Sequence, residues 1–145
     1  VDIGAVLGID NSQPEMQEVT IQKEKSAGVS YLLTLPVYDS EKAKMVANQT
    51  SKAGIPLIIT LYPIDSVDTA NWIKKLYPSS KPPEDFIKRI KDIEQSSSKA
   101  EAKSKVITET NANLVSTLVK ELRTIKGVSG CNIVSTKLDT IKVPS

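Results

Sequence analysis

Histidine is absent from this chain, and cysteine, tryptophan and phenylalanine occur once each. Without histidine there is no Ser-His-Asp triad, no Cys-His pair, no His-ligated metal and no imidazole base. Acid–base work, if any, falls to carboxylates, lysine or tyrosine. The lone Cys131 excludes an internal disulfide and a paired-cysteine zinc site, and it points to a cytoplasmic location. No stretch approaches the run of about 18 apolar residues that spans a membrane. No basic segment leads into an apolar one, so a secretory leader is not expected. The net charge is only +2. The lysines are spread over several helix faces without interleaved aromatics, so no nucleic-acid partner is expected.

What is there suits one domain or a piece of one: 145 residues, 39% hydrophobic and 25% charged. The chain starts at Val1, which fits either processing or a longer parent. Asp2 to Leu7 reads as a short buried strand. Pro14 sits where a first helical turn tolerates it, and Met16, Val19 and Lys23 recur at helical spacing up to Gly28. Tyr31 to Leu35 is the second strand. Asp39 or Ser40 caps a helix that ends at Gly54. Leu57 to Leu61 is the third strand, and Asp65 or Ser66 caps a helix carrying Trp72, Ile73 and Leu76. Pro82-Pro83-Glu84 restarts a helix that Ser96-Ser97-Ser98 breaks. A long helix follows, with Val106, Leu114, Leu118 and Leu122 on its apolar side. Cys131 to Val134 is the fourth strand, and the tail around Ile141 to Pro144 is undecided.

Strands with little alternation, joined by helical crossovers, imply an α/β protein with a parallel sheet. Thr34-Leu35-Pro36-Val37-Tyr38-Asp39-Ser40 parallels Thr60-Leu61-Tyr62-Pro63-Ile64-Asp65-Ser66. Ala27-Gly28-Val29 likewise parallels Ala53-Gly54-Ile55. Matching strand entries and exits favour βα units forming half of a TIM-type (βα)8 barrel, with a flavodoxin-like open sheet as the alternative. Residues 1–145 are expected to be a single half-barrel segment. Four strands cannot close, so two sheet edges and an apolar face would meet water. A homo-oligomer or a complementary half-barrel partner is therefore expected.

The same segments, in order, resemble the C-terminal half of the methylenetetrahydrofolate reductase barrel. That family has Ala-Gly-Ala, then a strand ending Thr-Gln-x-x-Phe-Asp; this chain has Ala27-Gly28-Val29, then Thr34-Leu35-Pro36-Val37-Tyr38-Asp39. The family's next Gly-Ile, strand and Pro-Ile exit resemble Gly54-Ile55-Pro56 and Thr60 to Ser66. Its later Ile-Pro helix start resembles Lys81-Pro82-Pro83. Its closing Gly-Val-x-Gly-x-His segment resembles Gly127-Val128-Ser129-Gly130-Cys131-Asn132.

The resemblance implies an oxidoreductase of one-carbon metabolism, in which FAD reduces methylenetetrahydrofolate and a folate-type molecule is the substrate. It places flavin contacts at Gln17 and Thr20, with Asn11 in the first strand-end loop where the family approaches its cofactor. Leu35 stands at the family's pterin-binding Gln, and Glu24 at a phosphate-side Lys, where it reverses the charge. Asn132 replaces the family's histidine, Lys137 an asparagine and Leu7 a tyrosine. No catalytic residue is assigned, because the family's acidic one belongs to the first four strands. A non-catalytic half-barrel module that self-assembles, or pairs with an enzyme subunit, is the rival expectation.

Thr34 and Thr60 stand where barrel enzymes place ligands, and both are candidate substrate-binding residues beside Leu35. The simpler role for both is satisfying backbone groups at the turn. Asp39, Asp65 and Ser66 read as helix caps, and Asp10 as turn or ligand. Tyr38 and Tyr62 read as packing groups, Cys131 as a small buried residue, and Trp72 as core or docking surface. Lys99, Lys103 and Lys105 read as a solvated face.

Overall fold

A computed structural model of the chain describes residues 1–9 and 13–135. Four strands alternate with helices: β1 (Gly4–Leu7), α1 (Pro14–Ser26), β2 (Tyr31–Thr34), α2 (Ser40–Ala53), β3 (Leu57–Leu61), α3 (Val67–Leu76), α4 (Glu84–Gln95), α5 (Ala100–Arg123) and β4 (Val128–Ile133). A 3-10 turn, Pro78–Ser80, separates α3 from α4. The strands form one parallel sheet in the order β1-β2-β3-β4. An order that follows the sequence has no reversal, whereas a doubly wound sheet is defined by one. These four strands therefore contain no switch point of the doubly wound kind, and the arrangement is compatible with half of a barrel.

Alternation along each strand gives the two faces different fates. Leu7, Leu32, Leu57, Ile59 and Leu61 are buried, sharing one core with Ile21 of α1, Val46 of α2 and Leu118 and Leu122 of α5. The opposite face carries Val6, 63% exposed, and the half-buried Tyr31, Leu33 and Ile58. A second cluster, Tyr38, Tyr62, Ile64, Ala70, Ile73 and Ile87, holds α3 and α4 at the exit of β3.

Local chemistry explains the helix ends. Asp39 caps α2 by accepting from the Glu41 N–H at 2.9 Å. Ser66, rather than Asp65, caps α3 by accepting from the Thr69 N–H at 3.0 Å. Asp65 instead accepts from the Thr69 hydroxyl at 2.5 Å. Gly54 ends α2 at φ 71°, a left-handed conformation that suits a residue without Cβ.

Three expectations are corrected, and for Trp72 the core alternative falls away. The inward stripe of α1 is Gln17 and Ile21, while Met16 and Val19 are exposed. The Gln17 amide binds strand backbone, so a polar residue occupies the core-facing phase and the apolar spacing misleads. Val106 is exposed and Ile107 faces the core, because the buried stripe of α5 runs through Thr110 and Asn111. Cys131 is exposed, because β4 is an edge strand. Trp72 is 45% exposed, packed on its sides by Tyr62 and Tyr77 with ring centroids 5.8 and 6.1 Å away. Smaller differences concern β1, which starts at Gly4, and β4, which runs Val128–Ile133. Asp10, Asn11, Lys137 and the tail lie outside the described residues.

Candidate functional site at the strand exits

Parallel strands present their C-terminal ends on one side of the sheet. Here that side gathers the exits of β1 and β2 at Gly8 and Leu35, and of β3 at Thr60 to Tyr62. Two of the cofactor candidates, Gln17 and Thr20, line a pocket of about 210 Å³ beside Gly8, Gln13 and Met16. Gln17 is 5% exposed. Its Nε2 donates to the Gly8 carbonyl at 2.8 Å, and its Oε1 is buried without a partner among the described residues. The Thr20 hydroxyl donates to the Met16 carbonyl at 3.0 Å. Gln17, Thr20 and Glu24 fall at helical spacing on one stripe of α1.

Thr34, Leu35 and Thr60 form the second group. The Thr34 hydroxyl accepts from the Thr60 N–H at 3.0 Å, tying β2 to β3. Thr34 therefore has the backbone-satisfying role. Thr60 is buried, its own hydroxyl unpartnered among the described residues, and its carbonyl accepts from the Val37 N–H at 3.0 Å. The Leu35 side chain packs over Gly8, 3.5 Å from where a Cβ there would lie. Gly8 thus joins the two groups: the Gln17 amide holds its carbonyl and Leu35 covers its open side. Neither flanking signal in the sequence marked Gly8 as more than a strand end.

Beneath Leu35 lies a void of about 10 Å³, reached by Ser80, whose buried hydroxyl also lacks a partner. That volume is at the lower bound for one water. Lys42 closes the same region by donating to the Ser79 carbonyl at 3.1 Å.

The exit of β3 is held by two side chains that the sequence did not single out together. The Tyr38 hydroxyl donates to the Tyr62 carbonyl at 2.5 Å. Burial, and secondarily Tyr62, raises the Tyr38 phenol far above its ordinary value. Burial, then Asp65 and Tyr77, raises Tyr62 as well. Both phenols therefore stay neutral at physiological pH; Tyr38 packs and donates a hydrogen bond, and Tyr62 packs in the cluster and against Trp72. Asn111 of α5 accepts from the Ile64 N–H at 2.8 Å and donates to the Ile64 carbonyl at 2.7 Å. No local pattern announces Asn111, because its partner lies 47 residues away in sequence.

Chemically, the described residues of this mouth offer hydrogen-bonding oxygens. Among the described residues no three His, Cys, Asp or Glu side chains converge into a metal-binding group. The buried Gln17 and Thr60 oxygens suit a ligand with hydroxyl or N–H donors. The pocket at α1 falls below the range of about 300–1,000 Å³ usual for cofactor sites. It fits a sugar-sized portion of a dinucleotide and not the whole. Glu24, further along the same stripe, opposes a phosphate. No helix among the described residues is long and apolar enough to cross a membrane. Comparison with protein-family models and with curated proteins returns no match.

Proposed function

We propose that this chain is a half-barrel relative of methylenetetrahydrofolate reductase that contributes the later strands of an FAD- and folate-binding barrel, completed by a complementary half or a second copy. The observation that carries this reading is the pocket that brings Gln17, Thr20 and Gly8 together at the exit of β1. The resemblance assigns flavin contacts to two of those three residues. The strand order supports it, since consecutive parallel strands with helices on one face are what half of such a barrel requires. In this reading the bound flavin supplies hydride chemistry. The chain's own residues bind and orient: Gln17 accepts from a cofactor hydroxyl, Leu35 and Gly8 form a flat apolar floor, and Thr60 marks the polar edge.

A second reading, a non-catalytic module, has its own support. Leu35 puts an apolar group where the pterin edge needs an amide, and a lost polar partner of that kind costs a site heavily. Titrating the purified chain with FAD while following flavin fluorescence separates the two. Saturable quenching that weakens several-fold in Gln17→Ala supports the flavin reading. No quenching up to about millimolar FAD, either from the chain alone or from its assembled form, overturns it and leaves the module.

A further inference from the structure

We propose that two copies of this chain close on each other, about a two-fold axis running along the barrel, into a single eight-stranded parallel barrel. The inference rests on the half-barrel reading above and names the partner. Its first support is the charge of the surfaces involved. No residue of the four strands is charged. Exposed edge strands are ordinarily guarded by lysine, proline or inward charges. Neither β1 nor β4 has any of these, so both edges and the face between them suit a partner that is equally neutral. A second copy supplies that.

The backbone is arranged for it. Leu7 and Ile3 carbonyls accept from β2 and its approach, at Leu35 and Ser30. In a parallel ladder the alternate residues, Gly4 and Val6, then point their N–H and C=O groups to the open edge. At the other end Val134 donates to the Leu61 carbonyl, which leaves Cys131 and Ile133 facing outward. A two-fold rotation brings β4 of one copy parallel to β1 of the other, at two identical seams. Side-chain size follows the same plan. On the bare face the edges carry Gly4 beside Val6 and Gly130 beside Asn132, while Tyr31, Leu33 and Ile58 fill its middle. The Tyr31 ring lies over Gly4, where a Cβ would collide with it, and nothing lies within 4 Å of a Cβ at Gly130. A glycine at each seam leaves room for the partner, and Val6 adds an apolar contact to the large residues across the axis.

Area selects closure over flat stacking. Four strands about 4.8 Å apart and four to six residues long give roughly 300 Å² of face per copy. A standard interface buries about 800 Å² per partner. Face-to-face stacking falls short by more than half, so the seams and their flanking helices must join the interface.

The register is also specified. The strand ends step once across the sheet: Leu7 aligns with Thr34, β3 runs on past that level to Leu61, and β4 ends level with Leu61 at Ile133. A shear of about 8 for eight strands puts about four residues of stagger on each half. Continued in that sense, it sets Cys131 opposite Ile3 of the second copy, with both side chains on the outer face.

The test uses the whole 145-residue chain. Light scattering after gel filtration is expected to give twice 15.8 kDa. Ile3→Cys, oxidised mildly, should yield a covalent dimer on a non-reducing gel through native Cys131. Ile3→Cys with Cys131→Ser, and Glu18→Cys on the outer face of α1, should not. Leu33→Lys should give a folded monomer, with its far-ultraviolet spectrum unchanged. A wild-type monomer at every concentration overturns the proposal. So does an open-ended series of larger species, which is the signature of edges that pair without closing, and so does a dimer that fails to cross-link between positions 3 and 131. Flavin titration of the same samples keeps the two conclusions apart. A monomer that binds FAD sinks closure alone, and a cross-linked dimer that ignores FAD sinks the flavin reading alone.

Discussion

Replacing Asn111 with alanine should cost more stability than any other single polar truncation at the strand exits. Asn111 is 1% exposed, and its amide pairs with both backbone groups of Ile64, itself fully buried. Truncation leaves that N–H and C=O in a dry environment. An orphaned buried group costs about 1–3 kcal/mol, so two give about 2–6 kcal/mol. The third bond, from Nδ2 to the Ile107 carbonyl at 3.1 Å, matters less. That carbonyl lies within α5, where the helix ladder satisfies it. A domain of this size has about 5–15 kcal/mol in hand, so the variant should remain folded but be markedly weakened. Each kcal/mol is worth about 2–4 °C of midpoint at this length, which places the expected fall at roughly 5–20 °C. Urea denaturation followed by circular dichroism gives the free energy directly. The exposed Asn48 of α2, changed to alanine, is the control and should move by less than about 0.5 kcal/mol. Asn111→Leu separates hydrogen bonding from packing: it keeps the volume and still strands both Ile64 groups, so it should be nearly as harmful as alanine. If Asn111→Ala costs no more than Asn48→Ala, or if leucine restores stability, then the Ile64 clamp does not hold the exit of β3 and the reasoning fails.

Gly127→Ala should destabilise by more than Gly54→Ala. Both have positive φ, but only at Gly127 would a Cβ also meet the Ala47 carbonyl, at 2.7 Å, and the Ser51 hydroxyl; paired urea midpoints decide it. Tyr38 predicts an alkaline limit. Its phenol is raised in the fold above the ordinary value of about 10, so its contribution is intact below that pH and declines as pH rises from there toward the folded value. Tyr38→Phe should flatten the stability profile above pH about 10, and an unchanged slope would refute the assignment. Gln49→Leu should cost less than about 1 kcal/mol, because the Pro14 carbonyl that Gln49 reaches at 2.9 Å lies in the first turn of α1, where the helix ladder already satisfies it; a loss of several kcal/mol in urea denaturation would refute this.

The fold was readable wherever the signal is local. Strand β3 was placed at its observed limits by its apolar run, and α2 by Asp39 before it and Gly54 after it. Alternation of strands and helices gave the parallel sheet. Phase failed where a core-facing position is polar. On α1 the inward residue is Gln17, and on α5 the stripe includes Thr110 and Asn111, so counting apolar residues pointed to Met16, Val19 and Val106 instead. Gln17 and Asn111 share one cause. A side chain whose partner is a distant backbone group looks, in sequence, like a surface residue. The caps at Asp39 and Ser66 were visible for the opposite reason, since donor and acceptor lie within three residues.

The candidate site divides along the same line. Thr34 and Thr60 share a sequence pattern and a strand-end position, yet they have different roles. Thr34 spends its hydroxyl on the Thr60 N–H, whereas the Thr60 hydroxyl, also buried, has no partner among the described residues. A repeated motif therefore fixed the repeated backbone geometry and not a repeated function. The side of β3 with the free hydroxyl is also the bare side of the sheet, shared with Ile58 and, by register, with Asn132. A ligand at the exits and a second half across the face would compete for, or jointly enclose, that same polar edge. Joint enclosure makes binding and assembly reciprocal: a ligand that touches both halves must tighten the assembly by the same factor by which assembly tightens the ligand. Measuring the dimer dissociation constant with and without FAD tests this. An effect on one equilibrium without the matching effect on the other would place the ligand away from the shared face.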